Sequence, residues 1–149
     1  MSNALSSLQA WLPEGHRLPA DQWAARHRAM TVVLVVHIPV MLIWGFLKGY
    51  GPVHSVADVV PLALPALLAM NPRLGRRARE ACVALGLLSA SAILVHLMDG
   101  AVEAHFHFFI VVALLAFYEE WFPYLLAFAF VFVHHLTLSL ASSSAVFNH

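Results

Sequence analysis

"MTVVLVVHIPVMLIWGFL" occupies Met30 to Leu47 and carries no residue of fixed charge. At 1.5 Å per residue a helix of that length rises about 27 Å, close to the thickness of the hydrocarbon core of a bilayer. Four further apolar runs follow: Val56 to Met70, Ala81 to Met98, Ala104 to Tyr118 and Phe122 to Leu140. The breaks between them hold turn formers: Gly49, Gly51 and Pro52 after the first run, Asn71 and Pro72 after the second, Gly100 after the third and Pro123 opening the last. Continuous apolar runs lack the alternation of a membrane β-barrel. The expected fold is therefore all-α, a polytopic transmembrane helical bundle of about five spans. The second and fourth runs are short, which implies tilt, a locally thin bilayer or helices that begin inside a protein-lined cavity.

Composition supports this environment. Of 149 residues, 61% are hydrophobic and 11% charged, with a mean hydropathy of +0.78. A soluble domain is only about half apolar. Cys82 is the single cysteine, so an intramolecular disulfide and a cysteine-rich metal site are both excluded. Residues 1–28 are polar and mixed in charge, which suits a cytoplasmic lead segment rather than a signal peptide; residues 29–149 make the bundle. No nucleotide-binding loop, nucleophile triad or nucleic-acid surface is evident. Whether this stretch is catalytic stays open, with a non-catalytic reading favoured; its partner is the lipid bilayer and not nucleic acid.

Charge orients the bundle. Arg17, Arg26 and Arg28 precede the first run, and Arg73, Arg76, Arg77 and Arg79 lie between the second and third, with only Lys48 on the opposite side. Basic residues favour the cytoplasmic face, so the N-terminus is expected inside, in a bacterial inner membrane. The segments Lys48 to Ser55, Met98 to Glu103 and Ala141 to His149 then face outward. Glu119 and Glu120 fall at an inner turn and read as solvated, and Asp58 reads as an acid at a helix N-terminus. Five spans leave the C-terminus outside. A cytoplasmic output domain would require a further span after His149, so the chain is expected to stop short of both.

The ten histidines are unevenly spread. His16 and His27 belong to the lead segment and His37 sits near the midplane. His54, His96, His105, His107, His134, His135 and His149 all fall in the outer half or outer loops. Counting helical rise, His96 and His107 lie about 5 Å inside the outer boundary and His134 and His135 about 8 Å. Asp99 and Glu103 share that layer, so acceptors and imidazoles collect where arginines are absent. That pattern points to a cation. Several polar side chains in a bilayer are costly unless paired, which favours a common site over scattered interfacial contacts. Glu103 and His107 are four apart, His96 and Asp99 three apart, and each pair shares a helix face. His105 and His107 diverge by about 200° on a regular helix, which lets them serve two centres unless the local turn is irregular. The expected metal ligands are His96, His107, His134, His135 and His105 with Glu103 and Asp99 as ligands or as acceptors for ring N–H groups. His37, His54 and His149 are secondary candidates.

The run "VHLMDGAVEAHFHFF", the following "YEEWFPYLLAFAFVFVHH", the closing "AVFNH" and the early "RHR" and "HIP" resemble the multispan N-terminal sensory region of some bacterial diguanylate cyclases and chemotaxis receptors. The resemblance covers most of the chain. It implies a membrane input module, a homodimer, and a signalling domain downstream. Locally, "AHFH" and "VHH" are similar to the histidine motifs that bind haem and copper in haem-copper oxidases, although their order here is reversed and the chain is too short for that fold.

Imidazoles with carboxylates and no usable thiolate suit copper, zinc or iron. Haem b is the alternative, with Gly86, Ser89, Ala90, Ser91 and Ala92 as small residues that would admit a porphyrin; against it stand the scarcity of outer cations and a histidine count above the needs of one haem. Gly86 to Ala92 also reads as a close helix contact. Two functions follow. A sensor would bind a metal ion, or a small ligand carried on one, and signal by helix repacking; a small membrane oxidoreductase or carrier would use the histidines as redox ligands or a relay. Carriers spread ionisable groups over several depths, whereas these gather at one, which favours sensing.

Overall fold

The computed structural model describes residues 18–141, so His16, Arg17 and His149 lie outside the described residues. Among the described residues five helices follow in order: α1 (Ala20–Leu47), α2 (Pro52–Met70), α3 (Arg76–Leu97), α4 (Val102–Leu115) and α5 (Trp121–Ala141), with a 3₁₀ turn at Ala116–Tyr118 after α4. The fold is an all-α helical bundle. Successive helices run up and down between an arginine-rich end, at the start of α1 and the α2–α3 junction, and a histidine-rich end at the α1–α2 and α3–α4 turns.

Local chemistry sets the boundaries. Gly49 has φ 86°, and the Tyr50 N–H reaches back to the Gly45 carbonyl at 3.1 Å, closing α1 with a left-handed cap. Pro52 then starts α2, where its missing N–H costs nothing. The end of α3 closes in the same way: Asp99 takes φ 54° and Gly100 donates to the Val95 carbonyl at 2.9 Å. Both caps hold polar residues at the rim of the histidine-rich end.

Three helices, α1, α2 and α3, are long and apolar enough to cross a membrane; Val102–Tyr118 and Trp121–Thr137 are shorter apolar helices. The outward faces are apolar, with Val32, Ile43, Leu64, Phe109, Leu125 and Phe128 all exposed. Such an exterior suits lipid contact. α1 begins well before the apolar run, because Trp23 and His27 in its first turns are themselves buried.

α3 is central and packs against each of the other four helices. Its small residues make this possible: Ala84, Gly86, Ala90 and Ser91 are all buried. At Gly86 a Cβ would stand 2.6 Å from Leu34 Cδ2, so the missing side chain of α3 is the space that Leu34 of α1 fills.

The arginine-rich end is closed by a polar network. Glu80 is 0% exposed; it accepts the Trp23 indole N–H at 2.6 Å and lies 3.3 Å from Arg76 Nε. His27 Nε2–H donates to the Ala69 carbonyl at 3.0 Å, which leaves Nδ1 to accept the Tyr118 hydroxyl at 2.9 Å. Glu119 pairs with Arg26, and Glu120 lies 3.5 Å from Arg76. Glu119 and Glu120, which sequence alone presents as solvated acids of a turn, tie the 3₁₀ turn to α1 and α3. A buried charge left without a partner is costly, so the network keeps these elements in register.

Candidate metal centre

His54 lies in the first turn of α2 and His96 in the last turn of α3, so the two imidazoles meet where both helices reach the histidine-rich end. Their Nε2 atoms are 3.2 Å apart. Asp58, one turn along α2 from His54, brings Oδ2 to 3.3 Å from His54 Nε2. Ligand atoms of His54, Asp58 and His96 all fall within 4.8 Å of one another, and this is the one such group of three among the described residues. Two nitrogens bound to one tetrahedral ion at about 2.0–2.1 Å sit about 3.3 to 3.4 Å apart. The two separations from His54 Nε2, 3.2 Å to His96 and 3.3 Å to Asp58, are close to that value. Asp58 Oδ2 is buried and accepts no hydrogen bond, so its lone pairs are available to a cation. Tyr50 stacks on His54 with ring centroids 4.6 Å apart and an interplanar angle of 10°, which fixes the imidazole plane.

A second pair lies deeper. His37 Nδ1–H donates to the Val33 carbonyl at 2.7 Å, which leaves its Nε2 with a lone pair. Ser91 lies 3.2 Å from the Leu87 carbonyl and 2.8 Å from His107 Nδ1, so it fixes the plane of the His107 ring. The two Nε2 atoms face each other at 3.2 Å. His37 Nε2 has the lone pair, so His107 Nε2–H can donate to it and close a neutral hydrogen-bonded chain from Ser91 to the Val33 carbonyl.

The third place joins α4 and α5. His105 donates Nδ1–H to the Ala101 carbonyl at 3.0 Å and His135 donates to the Val131 carbonyl at 2.8 Å; their ring centroids are 5.5 Å apart. His134 packs between Phe108 and Phe130 and meets His135 edge-on at 5.3 Å. The Nε2 atoms of His105 and His134 are buried and have no hydrogen-bond partner. A cavity of about 650 Å³ opens beside them, walled by phenylalanines with His105 and His135 in its lining.

The expected ligands thus divide among three places. His96 meets His54, His107 meets His37, and His105 meets His135 with His134 alongside. His105 and His107 point to different partners, as their angular separation on a helix allows. Asp99 is exposed and lies 3.5 Å from Lys48, while Glu103 is exposed in the first turn of α4. His149 lies outside the described residues. Asp58 is the member that sequence reading assigned to a helix N-terminus instead. Its spacing of four from His54 was the signal, since residues four apart on a helix share a face.

Over its whole length the chain is 32% identical, across 161 aligned positions, to the transducer protein Htr8 of Halobacterium salinarum. The chain spans about a quarter (25%) of the length of that relative. No family model matches the sequence, and no solved structure matches it. The cyclase side of the sequence resemblance finds no counterpart in these comparisons.

Proposed function

We propose that this chain is the membrane-embedded sensory input domain of a transducer-like receptor, and that it binds a transition metal at His54, Asp58 and His96. The observation that carries the reading is the convergence of His54, Asp58 and His96, whose ligand atoms lie within 4.8 Å of one another, with His54 Nε2 3.2 Å from His96 Nε2 and 3.3 Å from Asp58 Oδ2. Copper, zinc and iron all accept this donor set, and an exogenous ligand or water would complete the coordination. The ion would join the start of α2 to the end of α3. It would favour whichever helix packing brings its ligands together, since a ligand shifts an equilibrium by its differential affinity for the two states. Transmission would then run along α3, which touches every other helix, to the polar network at the arginine-rich end. That end faces the cytoplasm in this reading, the membrane is the bacterial inner membrane, the working unit is a homodimer, and a signalling domain follows.

Metal content of the purified chain tests the site. Wild type is expected to retain copper, zinc or iron near one ion per chain, and H96A, H54A and D58N to lose it. If the H54A/H96A double variant keeps the wild-type metal content, the site is wrong. A second reading is favoured by the phenylalanine-walled cavity between α4 and α5: haem b there, with His105 or His135 as axial ligand. A strong Soret band that disappears in H105A or H135A would decide for it.

A further inference from the structure

At the arginine-rich end a groove of about 450 Å³ runs along α1 toward the α2–α3 junction. Arg28, Arg79 and Met70 line it at the arginine level, and Val32, Val35 and Val36 continue its lining one to two turns further along α1 as a lower wall. The other polar side chains in the lining are already engaged within the protein. Both His27 nitrogens are used by Tyr118 and Ala69, and the Thr31 hydroxyl donates to the His27 carbonyl at 2.7 Å. What the groove offers an occupant is two guanidinium groups above an apolar slot.

Those two cations differ from their neighbours. Arg26 pairs with Glu119, and Arg76 lies against Glu80 and Glu120. Among the described residues neither Arg28 nor Arg79 has a carboxylate partner. Arg79 is anchored, with Nε–H donating to the Ala69 carbonyl at 2.8 Å and its guanidinium 5.0 Å above the Trp23 ring, which leaves its terminal N–H groups for a ligand. The lower wall faces outward: Val32 is 56% exposed and Val36 53%. An occupant must therefore be anionic at one end, with acceptor oxygens for a guanidinium fork, and apolar along its length where the protein meets acyl chains.

We propose that this groove holds one anionic phospholipid of the cytoplasmic leaflet, its phosphate between Arg28 and Arg79 and one acyl chain along Val32, Val35 and Val36. The proposal rests on the reading that the arginine-rich end faces the cytoplasm. Two uncompensated positive charges favour a lipid of net negative charge over a zwitterionic one, and a basic pocket beside membrane helices is the usual form of such a site. Because Arg79 and His27 share the Ala69 carbonyl, the lipid would brace α1 against the α2–α3 junction, at the foot of the polar network.

Native mass spectrometry of the full chain released from nanodiscs of mixed phosphatidylglycerol and phosphatidylcholine tests this. Wild type is expected to keep one phosphatidylglycerol in preference to phosphatidylcholine. R28Q, which removes one charge-assisted contact, should lower that retention roughly tenfold. V36W, which fills the slot without touching a charge, should lower it as well, while R73Q/R77Q should leave it unchanged. Helical content by circular dichroism confirms that each variant is folded. Wild-type retention by both R28Q and V36W overturns the site, and equal loss in R73Q/R77Q reduces it to general surface charge. Orientation is read separately, from the side of a vesicle on which R77C reacts with an impermeant thiol reagent, so a failed orientation is not mistaken for a failed lipid site.

Discussion

The histidines of this bundle are prepared one by one. His37, His105 and His135 each donate Nδ1–H to the carbonyl four residues earlier, so the helix backbone selects the tautomer and leaves Nε2 with its lone pair. A free Nε2 is the form of imidazole that binds a metal, and protons compete for it. Metal retention is therefore expected to be complete toward about pH 8 and to fall as the pH drops toward about 5, because the metal needs the neutral ring and acid supplies the competitor. Equilibrium dialysis across that range checks the sign. Tighter binding in acid would rule out imidazole ligation.

At the scale of elements, the contact between α1 and α3 governs the geometry above it. Leu34 is fully buried and occupies the space that a side chain at position 86 would need, with both of its methyl carbons within 2.8 Å of an added Cβ. G86A is predicted to destabilise the bundle by about 1–3 kcal/mol, since neither the leucine nor the two helix backbones can yield without strain. Thermal unfolding in detergent measures this. Shortening the opposing side chain in G86A/L34A should recover more stability than the two single changes predict, because residues in contact do not act additively. A neutral G86A would mean that the helices separate freely here. The same substitution should also weaken metal retention, because α3 carries His96 and Ser91.

For the whole molecule, the distribution of charge predicts the direction in the membrane. Arg26, Arg28, Arg73, Arg76, Arg77 and Arg79 gather at one end of the described bundle, and Lys48 stands alone at the other. Single cysteines in place of exposed Val53 and exposed Arg77, with Cys82 replaced by serine, should react from opposite sides with an impermeant reagent: V53C in intact cells, R77C only after the membrane is opened. Labelling of R77C in intact cells would invert the molecule and move the proposed metal site to the cytoplasmic face.

Hydropathy alone determined that this chain forms apolar helices, because burying a backbone in lipid requires each segment to satisfy its own hydrogen bonds. The caps at Gly49 and Gly100, the small residues of α3 and the gathering of histidines at one end were legible for the same local reason. Which imidazole meets which was not. The partner of His96 depends on the rotation and tilt of α2 against α3, and these follow from packing such as Leu34 against Gly86, to which residues far apart in sequence contribute. Asp58 and Glu80 show the same limit from the side of charge: each looks like an ordinary helix acid along the chain. Tertiary structure half-buries one beside His54 and fully buries the other beneath Trp23 and Arg76, and only there does the desolvated carboxylate have to be matched by a partner.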